Sequence, residues 1–349
     1  MKKLLVLILI IVICVALYFF LQNKNLANQD NTTTKQQVTA QDSDSNSDTQ
    51  DIEEETEDEN DADEVEEIID TEEEVDVRPA VDVYKSADEA LTAVRKAALS
   101  YDDAVLEQFY MIGNCAWCTK FYEDVKGLMN DKSLSNDERG YYAELLSTTG
   151  KKENIESLVS ASLNSKDETE KDIFTEALEL SNLSNESLNY LKEEYKNLTD
   201  EDVKEATIAA ISNQGTKDAI EILYDITKSL GDANGFYDQG IGLGEVVPED
   251  SAFPILDEIA SKRDEYSHLA IKAMLNGGIE GTKRVIDILA NSKDPQGDIK
   301  GLDLEKAADH VLFDDETKAY LEGVQNPNEA QKYFIDEVIK IAAESMKDE

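Results

Sequence analysis

The stretch LTDEDVKEATIAAISNQGTKDAIEIL, residues 198–223, holds two amphipathic segments joined at a glycine, and it decides the fold. Thr199 stands where a side chain caps the start of a helix, and Gly215 stands where a helix ends. Apolar side chains recur at helical spacing on both sides of the glycine: Val203, Ala206, Ala210, Ile220 and Leu223. We therefore predict a helical hairpin that turns at Gly215.

The second half of this hairpin recurs along the chain. The pentads NIESL, SLNYL, AIEIL, AFPIL and VIDIL share apolar second and fifth positions, and they start at residues 154, 187, 219, 252 and 285. Their starts lie 33, 32, 33 and 33 residues apart, which is the period of a structural repeat. One hairpin cannot bury both of its apolar faces, so the hairpins are expected to stack into one continuous core.

The same 33-residue repeat predicts where the turns and the two ends of the stack lie. Gly150, Gly215 and Gly281 occupy equivalent places, so each is expected to end one helix before the next begins. Residues 86–100 and 328–346 are predicted to form capping helices, because the ends of a repeat stack would otherwise expose apolar faces.

ATIAAISNQGTKDAIEIL resembles a short HEAT-type repeat, with small and aliphatic residues, a glycine turn and then Ala-Ile-x-x-Leu. The resemblance covers roughly residues 100–325 and is a pattern shared with other α-solenoids; the Trp-Leu-Gly-Tyr positions of tetratricopeptide repeats are absent. It implies an all-α domain, residues 81–349, built as a right-handed α-solenoid of about six to seven hairpins with a period near 33 residues.

The chain starts with an apolar segment, residues 1–21, that is predicted to be a membrane anchor. Residues 4–21 carry no charge and would rise about 27 Å as a helix, close to the thickness of a bilayer core. Lys2 and Lys3 precede them, so the N-terminus is expected in the cytoplasm and the body outside it, in the periplasm if the cell has two membranes. Three fates remain open: an uncleaved anchor, a cleaved signal peptide, or lipidation at Cys14.

Residues 22–80 are predicted to be a disordered acidic linker. Residues 42–76 contain no Lys or Arg, and such a segment buries too little apolar surface to order itself. The whole chain has a formal net charge of −44, which excludes nucleic acid as an expected partner because a phosphate backbone needs a positive face. A protein partner is expected, and the sequence leaves the oligomeric state open.

Cys115 and Cys118 form a C-x-x-C pair around the only tryptophan, Trp117. Export would make a disulfide chemically accessible, so a structural Cys115–Cys118 bridge is the favoured interpretation. A redox-active pair and a metal or ligand contact stay open as alternatives. In the repeat register Trp117 takes the place of the turn glycine and Cys118 starts a helix, where a thiol has a lowered pKa.

One repeat is irregular. Where the fifth hairpin needs its first helix, residues 231–248 contain five glycines, so a loop or a distorted helix is predicted. Such an insertion either contacts a partner or is only an irregular connection. The candidate contact residues are Phe236, Tyr237, Gly240, Gly242 and Gly244.

The sequence shows no set of catalytic residues, and neither a cofactor nor a metal site is predicted. The two histidines, His268 and His310, are expected to have packing or surface roles. Two hypotheses follow: a membrane-anchored, extracytoplasmic helical-repeat scaffold that binds a protein partner, and a thiol-disulfide protein that acts through its cysteine pair. Enzymatic activity is less favoured than a binding role.

Overall fold

A computed structural model describes residues 79–110, 115–231, 234, 236 and 239–345 of the chain. These residues form 17 α-helices and two short 3-10 helices and contain no β-strand, which confirms the predicted all-α fold and is consistent with an α-solenoid. Among the same residues, no helix combines the length and the apolar character needed to cross a bilayer. The predicted anchor and the acidic run 42–76 lie outside the described residues.

The first nine helices are α1 Ala80–Val83, α2 Ala87–Ala98, α3 Asp103–Tyr110, α4 Cys118–Met129, α5 Asn136–Thr148, α6 Lys152–Asn164, α7 Glu168–Glu179, α8 Asn185–Tyr195 and α9 Glu201–Ser212. The remaining eight are α10 Lys217–Leu230, α11 Phe253–Ser261, α12 Ser267–Asn276, α13 Gly278–Ala290, α14 Pro295–Gly301, α15 Leu304–Ala308, α16 Asp315–Gly323 and α17 Glu329–Ser345.

The helices from α3 to α16, apart from α14, pack in two rows. Helices α3, α5, α7 and α9 pack on one another in that order, and α12 packs on α15. Helices α4, α6, α8, α10, α11, α13 and α16 form the second row in the same way. Consecutive helices of the two rows pair as hairpins, as the 33-residue period predicts. At the ends, α2 packs on α4, and α17 covers α13, α14 and α15.

Short polar side chains fix most helix starts. The Oγ of Ser86 accepts from the Glu89 amide at the predicted N-terminal capping helix, and Thr216 does the same for α10. The prediction that Thr199 caps this helix is wrong by one residue. The Asp200 carboxylate is the cap, and it accepts from the amide of Val203 at the start of α9. Adjacent Thr and Asp are both competent caps, so the pattern locates this start only to within a residue.

The turn glycines join neighbouring hairpins as well as helices. Gly150 and Gly215 have φ of 59° and 64°, the left-handed conformation that glycine adopts without strain. A Cβ on Gly150 would lie 2.3 Å from the carbonyl oxygen of Asn182. The Gly150 carbonyl accepts from the Ser184 amide at 3.2 Å, and the Gly215 carbonyl accepts from the Glu249 amide at 2.9 Å. These glycines therefore let the next repeat approach closely.

The prediction that Gly281 is a turn glycine is wrong. Gly281 lies inside α13, which begins at Gly278, and Gly278 supplies the left-handed residue with φ of 69°. A Cβ on Gly281 would lie 1.6 Å from the carbonyl oxygen of Met274. The position of Gly281 in the repeat has another physical cause: it permits contact between the backbones of α12 and α13.

Among the described residues of the irregular fifth repeat, the 3-10 turn Leu243–Glu245 stands where the other repeats have a helix, in agreement with the predicted loop or distorted helix. Leu243 and Val246 are fully buried, and the turn packs against α10 and α12. The amide of Gly242 donates to the Oγ of Ser212 at 2.9 Å. The Asn276 side chain donates at 3.1 Å to two carbonyl groups of the segment. The first row thus stays continuous without a helix at this repeat.

A candidate partner-binding surface

The surface between α5 and α7 carries Tyr101, which lies in the loop before α3. Tyr101 has φ of 53°, an uncommon left-handed conformation for a bulky residue. Its ring packs edge-to-face on that of Tyr141 at 5.3 Å, and its hydroxyl donates to Glu144 Oε2 at 2.9 Å. These contacts hold the strained loop in place and fix the Glu144 carboxylate beside an aromatic ring.

A cavity of about 230 Å³ opens beside this ring, between α5 and α7. Its lining combines apolar surface, the Tyr101 ring and carboxylates. The lining residues are Tyr101, Asn136, Asp137, Gly140, Glu144, Ile173, Glu176, Ala177 and Leu180. Such a lining suits a ligand with an apolar stem and a cationic end.

The carboxylates here are partly desolvated. Burial raises the pKa of Glu144, although the hydrogen bond from Tyr101 opposes that shift. Burial, followed by the charges of Glu176 and Glu205, raises the pKa of Glu179. The pKa of Glu176 is raised by desolvation and by a neighbouring aspartate. Ionisation of these carboxylates in the folded protein therefore costs more free energy than it does in water.

No lysine or arginine of the described residues forms an ion pair with Glu144, Glu176 or Glu179. The basic residues of the same two helices are engaged elsewhere. Arg139 Nη2 lies 2.6 Å from a carboxylate oxygen of Glu170, and Lys171 Nζ lies 2.6 Å from one of Asp200. The surface thus lacks the cations that neutralise acids elsewhere on the body.

We define the tyrosine–glutamate face as Tyr101, Tyr110, Glu144, Glu176, Glu179 and Leu180. Two electrostatic links tie its members together: the charge of Glu144 raises the pKa of Tyr110, after desolvation, and the charge of Glu176 contributes to the raised pKa of Tyr101. Tyr101, Tyr110 and Leu180 are 44%, 53% and 69% exposed. Exposed aromatic and aliphatic groups beside unneutralised acids are typical of a surface that meets a partner.

A larger groove, of about 910 Å³, lies between α11, α13 and α14. Both arginines that line it are already paired with carboxylates of the body. Arg263 Nε lies 2.8 Å from Asp298 Oδ1, and Arg284 Nη1 lies 2.6 Å from Asp257 Oδ2. Because these groups already have partners, the smaller cavity of the tyrosine–glutamate face is the stronger candidate.

The cysteine pair has the predicted position. Helix α4 begins at Cys118, and the two Sγ atoms lie 2.09 Å apart, as in a disulfide. Cys118 is buried and Cys115 is partly exposed. Trp117 is not a left-handed turn residue as Gly150 is; it has φ of −103° and packs edge-to-face on Phe121 at 5.7 Å. A tryptophan cannot adopt the glycine conformation cheaply, so the turn here is of a different type.

The predicted contact residues of the glycine-rich segment fall into different environments. Gly242 and Gly244 are buried against the first row, and Gly240 is exposed. The ring of Phe236 is partly buried against Tyr195, at 6.5 Å. Tyr237 lies outside the described residues. Partner contact by this segment stays a prediction, and Gly240 is the member of the set that the fold leaves on the surface.

The two histidines meet around one buried lysine, which the sequence alone did not indicate. Lys272 on α12 is 2% exposed, and its Nζ lies 3.7 Å from Asp303 Oδ2. Desolvation, and then the charge of Lys272, lowers the pKa of both His268 and His310. His310 Nδ1 also lies 3.0 Å from the Asn276 side-chain oxygen. The expected packing role of both histidines agrees with these contacts.

The residues of the tyrosine–glutamate face were missed in the sequence. Glu144 and Glu176 lie 32 residues apart, close to the 33-residue repeat period, so their spacing was a detectable signal. That signal was hidden because 77 acidic residues place carboxylates at many spacings by chance. The left-handed conformation of Tyr101 depends on tertiary structure, and so do the ion pairs that engage Arg139 and Lys171 away from this surface. Neither can be read from the sequence.

Comparison with known proteins adds no relative: no protein-family model, no curated protein and no solved structure matches the chain.

Proposed function

We propose that this protein is a helical-repeat scaffold that binds a protein partner through the tyrosine–glutamate face. The observation that carries the proposal is the juxtaposition of exposed Tyr110 and Leu180 with the unpaired, partly desolvated carboxylates of Glu144 and Glu179. A partner that covers the apolar groups and brings positive charge would gain from both contacts. The finer architecture, a right-handed α-solenoid, belongs to the same proposal and rests on the resemblance of its repeats.

The proposal includes the setting in which the scaffold works. The uncharged residues 4–21 and the acidic run 42–76 support a single-pass membrane anchor followed by a linker, with the body outside the cytoplasm. On this view the linker, by its charge and length, keeps the folded body away from the bilayer.

Site-specific photo-cross-linking tests the binding role. The full-length chain carries a photoreactive amino acid at Leu180 and is expressed in the cell that makes it. The matched control carries the same amino acid at Leu163, an exposed leucine, 42% accessible, on the second-row helix α6. We expect a discrete adduct with one protein from position 180 and none from position 163. Equal adducts at both positions, or no adduct at position 180, would exclude the proposed function.

A thiol-disulfide activity is the second candidate, because the two cysteines differ in exposure. An incoming thiolate would attack the partly exposed Cys115 Sγ and form a mixed disulfide, while the Sγ–Sγ bond breaks and Cys118 leaves as a thiolate. Cys118 is the first residue of α4, and a helix N-terminus stabilises a thiolate.

The reduction potential of the Cys115–Cys118 pair separates the two candidates. A value well below about −300 mV marks a structural bridge and excludes the redox function. A value near about −200 mV, in the range of known exchange proteins, supports it. Equilibration of the full-length chain with glutathione mixtures, read by thiol alkylation and mass spectrometry, gives this potential.

A further inference from the structure

The cavity between α5 and α7 has a shape and chemistry that select one kind of side chain. Gly140, Ile173 and Ala177 contribute apolar surface to its lining, together with the exposed Leu180. An apolar lining favours an aliphatic stem over a short polar side chain. At about 230 Å³ the cavity is a socket for a single side chain and is too small for a folded element.

The carboxylates set the charge of the occupant. Glu144 and Glu176 line the socket from opposite helices, α5 and α7, and neither is paired with a cation in the described residues. Tyr101 donates to Oε2 of Glu144, which leaves Oε1 of that carboxylate to accept another donor. A cation placed between the two acids would form charge-assisted hydrogen bonds and offset the desolvation that raises their pKa.

The aromatic wall completes the match. The Tyr101 ring is held by its contact with Tyr141 and by its hydrogen bond to Glu144, so its position is fixed before a ligand arrives. A guanidinium or ammonium group gains a further contact on an aromatic ring. Preorganised groups lose little entropy on binding.

We propose that this socket binds a lysine or arginine side chain of the partner, presented by a basic amphipathic segment whose apolar residues cover Leu180 and Tyr110. The proposal rests on the proposed function and names the chemistry of its partner. Charge complementarity is its main argument: the chain carries a net charge of −44, so a second copy of itself or an acidic membrane surface would be repelled.

The test uses a short amphipathic peptide that carries lysines at helical spacing and a photoreactive group. Its counterpart has glutamine in place of every lysine. Each peptide is titrated against the full-length chain, and adducts are located and quantified by mass spectrometry. Locating the adduct matters because residues 42–76 are also acidic and will attract the lysine peptide without using the socket.

Three variants and one control probe the socket. Glu144→Gln and Glu176→Gln each remove one negative charge, and Gly140→Leu fills the cavity without changing charge. The control, Glu322→Gln, removes one exposed acid on α16 that has no ion-pair partner among the described residues, far from the socket in the sequence of helices. It therefore changes the net charge by the same amount as Glu144→Gln or Glu176→Gln. Circular dichroism of each variant verifies that the helices remain folded.

We expect the lysine peptide to label residues 136–180 and the glutamine peptide to leave them unlabelled. Each socket variant should weaken labelling about tenfold, which corresponds to about 1.4 kcal/mol and is typical of one charged hydrogen bond. Glu322→Gln should leave labelling unchanged. Equal weakening by Glu322→Gln, no effect of Gly140→Leu, or equal labelling by both peptides would overturn the socket.

The outcomes also separate this inference from the function on which it rests. Cross-linking from Leu180 to a cellular protein, with peptide labelling insensitive to the socket variants, would keep the scaffold function and reject the socket. Socket-dependent peptide labelling without a cellular adduct would support the socket chemistry and reject the proposed function.

Discussion

Gly281 and Gly127 both lie inside α-helices, but the structure predicts opposite effects when each is replaced by alanine. A Cβ on Gly281 would lie 1.6 Å from the Met274 carbonyl oxygen and 2.5 Å from its carbon, and both atoms belong to the backbone of α12. A Cβ on Gly127, in α4, would meet nothing within 4 Å. The same chemical change therefore creates a clash at one site and none at the other.

The magnitudes follow from two opposing effects. Alanine stabilises a helix interior by up to about 1 kcal/mol relative to glycine, and Gly127→Ala should gain that amount. Gly281→Ala must also push α12 and α13 apart, and overpacking of this kind costs about 3 kcal/mol when backbone has to move. The expected net loss is about 2 kcal/mol, which lowers the melting temperature by roughly 4–8 °C.

Urea and thermal unfolding of the full-length chain, followed by circular dichroism at the helical band, measure both variants against the native protein. The close contact of α12 with α13 would be refuted if Gly281→Ala matched or exceeded the native stability. A comparable loss in Gly127→Ala would show that the alanine itself, and not the contact, is responsible.

Two further predictions concern charged groups. Replacing Glu170 by Gln leaves the buried guanidinium of Arg139 without its anion, so urea unfolding should show a loss of about 3 kcal/mol, whereas Glu322→Gln should change stability little. The pKa of His268 and that of His310 are both lowered in the folded state, so the unfolded chain binds more protons below about pH 6.5 and stability should fall as the pH decreases through that value. The dependence on pH steepens below about pH 6.5, between the unfolded pKa and the lowered folded ones, where each histidine contributes at most about 1.4 kcal/mol per pH unit. Replacing both histidines by Gln should flatten it, and an unchanged slope would contradict this assignment.

The helical fold was predictable because its signals are local and repeated. Amphipathic spacing and a 33-residue period both stand in the sequence, and the structure confirms the helices they predict. The repeat also predicted where regularity fails, because glycines accumulate in residues 231–248. Local propensity and the tertiary fold agree along most of this body.

The details that failed depend on contacts between repeats. Gly281 shares the spacing of Gly150 and Gly215, yet it serves helix packing, since the sequence does not tell a turn from a close approach. The candidate site was missed for a similar reason: Glu144 is one of many acids until Tyr101 is placed beside it. The cysteine pair was located correctly because a helix start is a local property.

The 3-10 turn Leu243–Glu245 has a consequence for how the sequence of this protein can change over time. In a stack of repeats each unit contacts only its neighbours, so changes on one side are felt on the other only through the unit between them. Here the first-row part of that unit is a 3-10 turn, secured by the buried Leu243, by the Gly242 amide that donates to Ser212 Oγ and by the Asn276 side chain that donates to the Gly244 carbonyl. In the first row, the helices before and after the turn can therefore diverge as separate blocks while these few residues are retained.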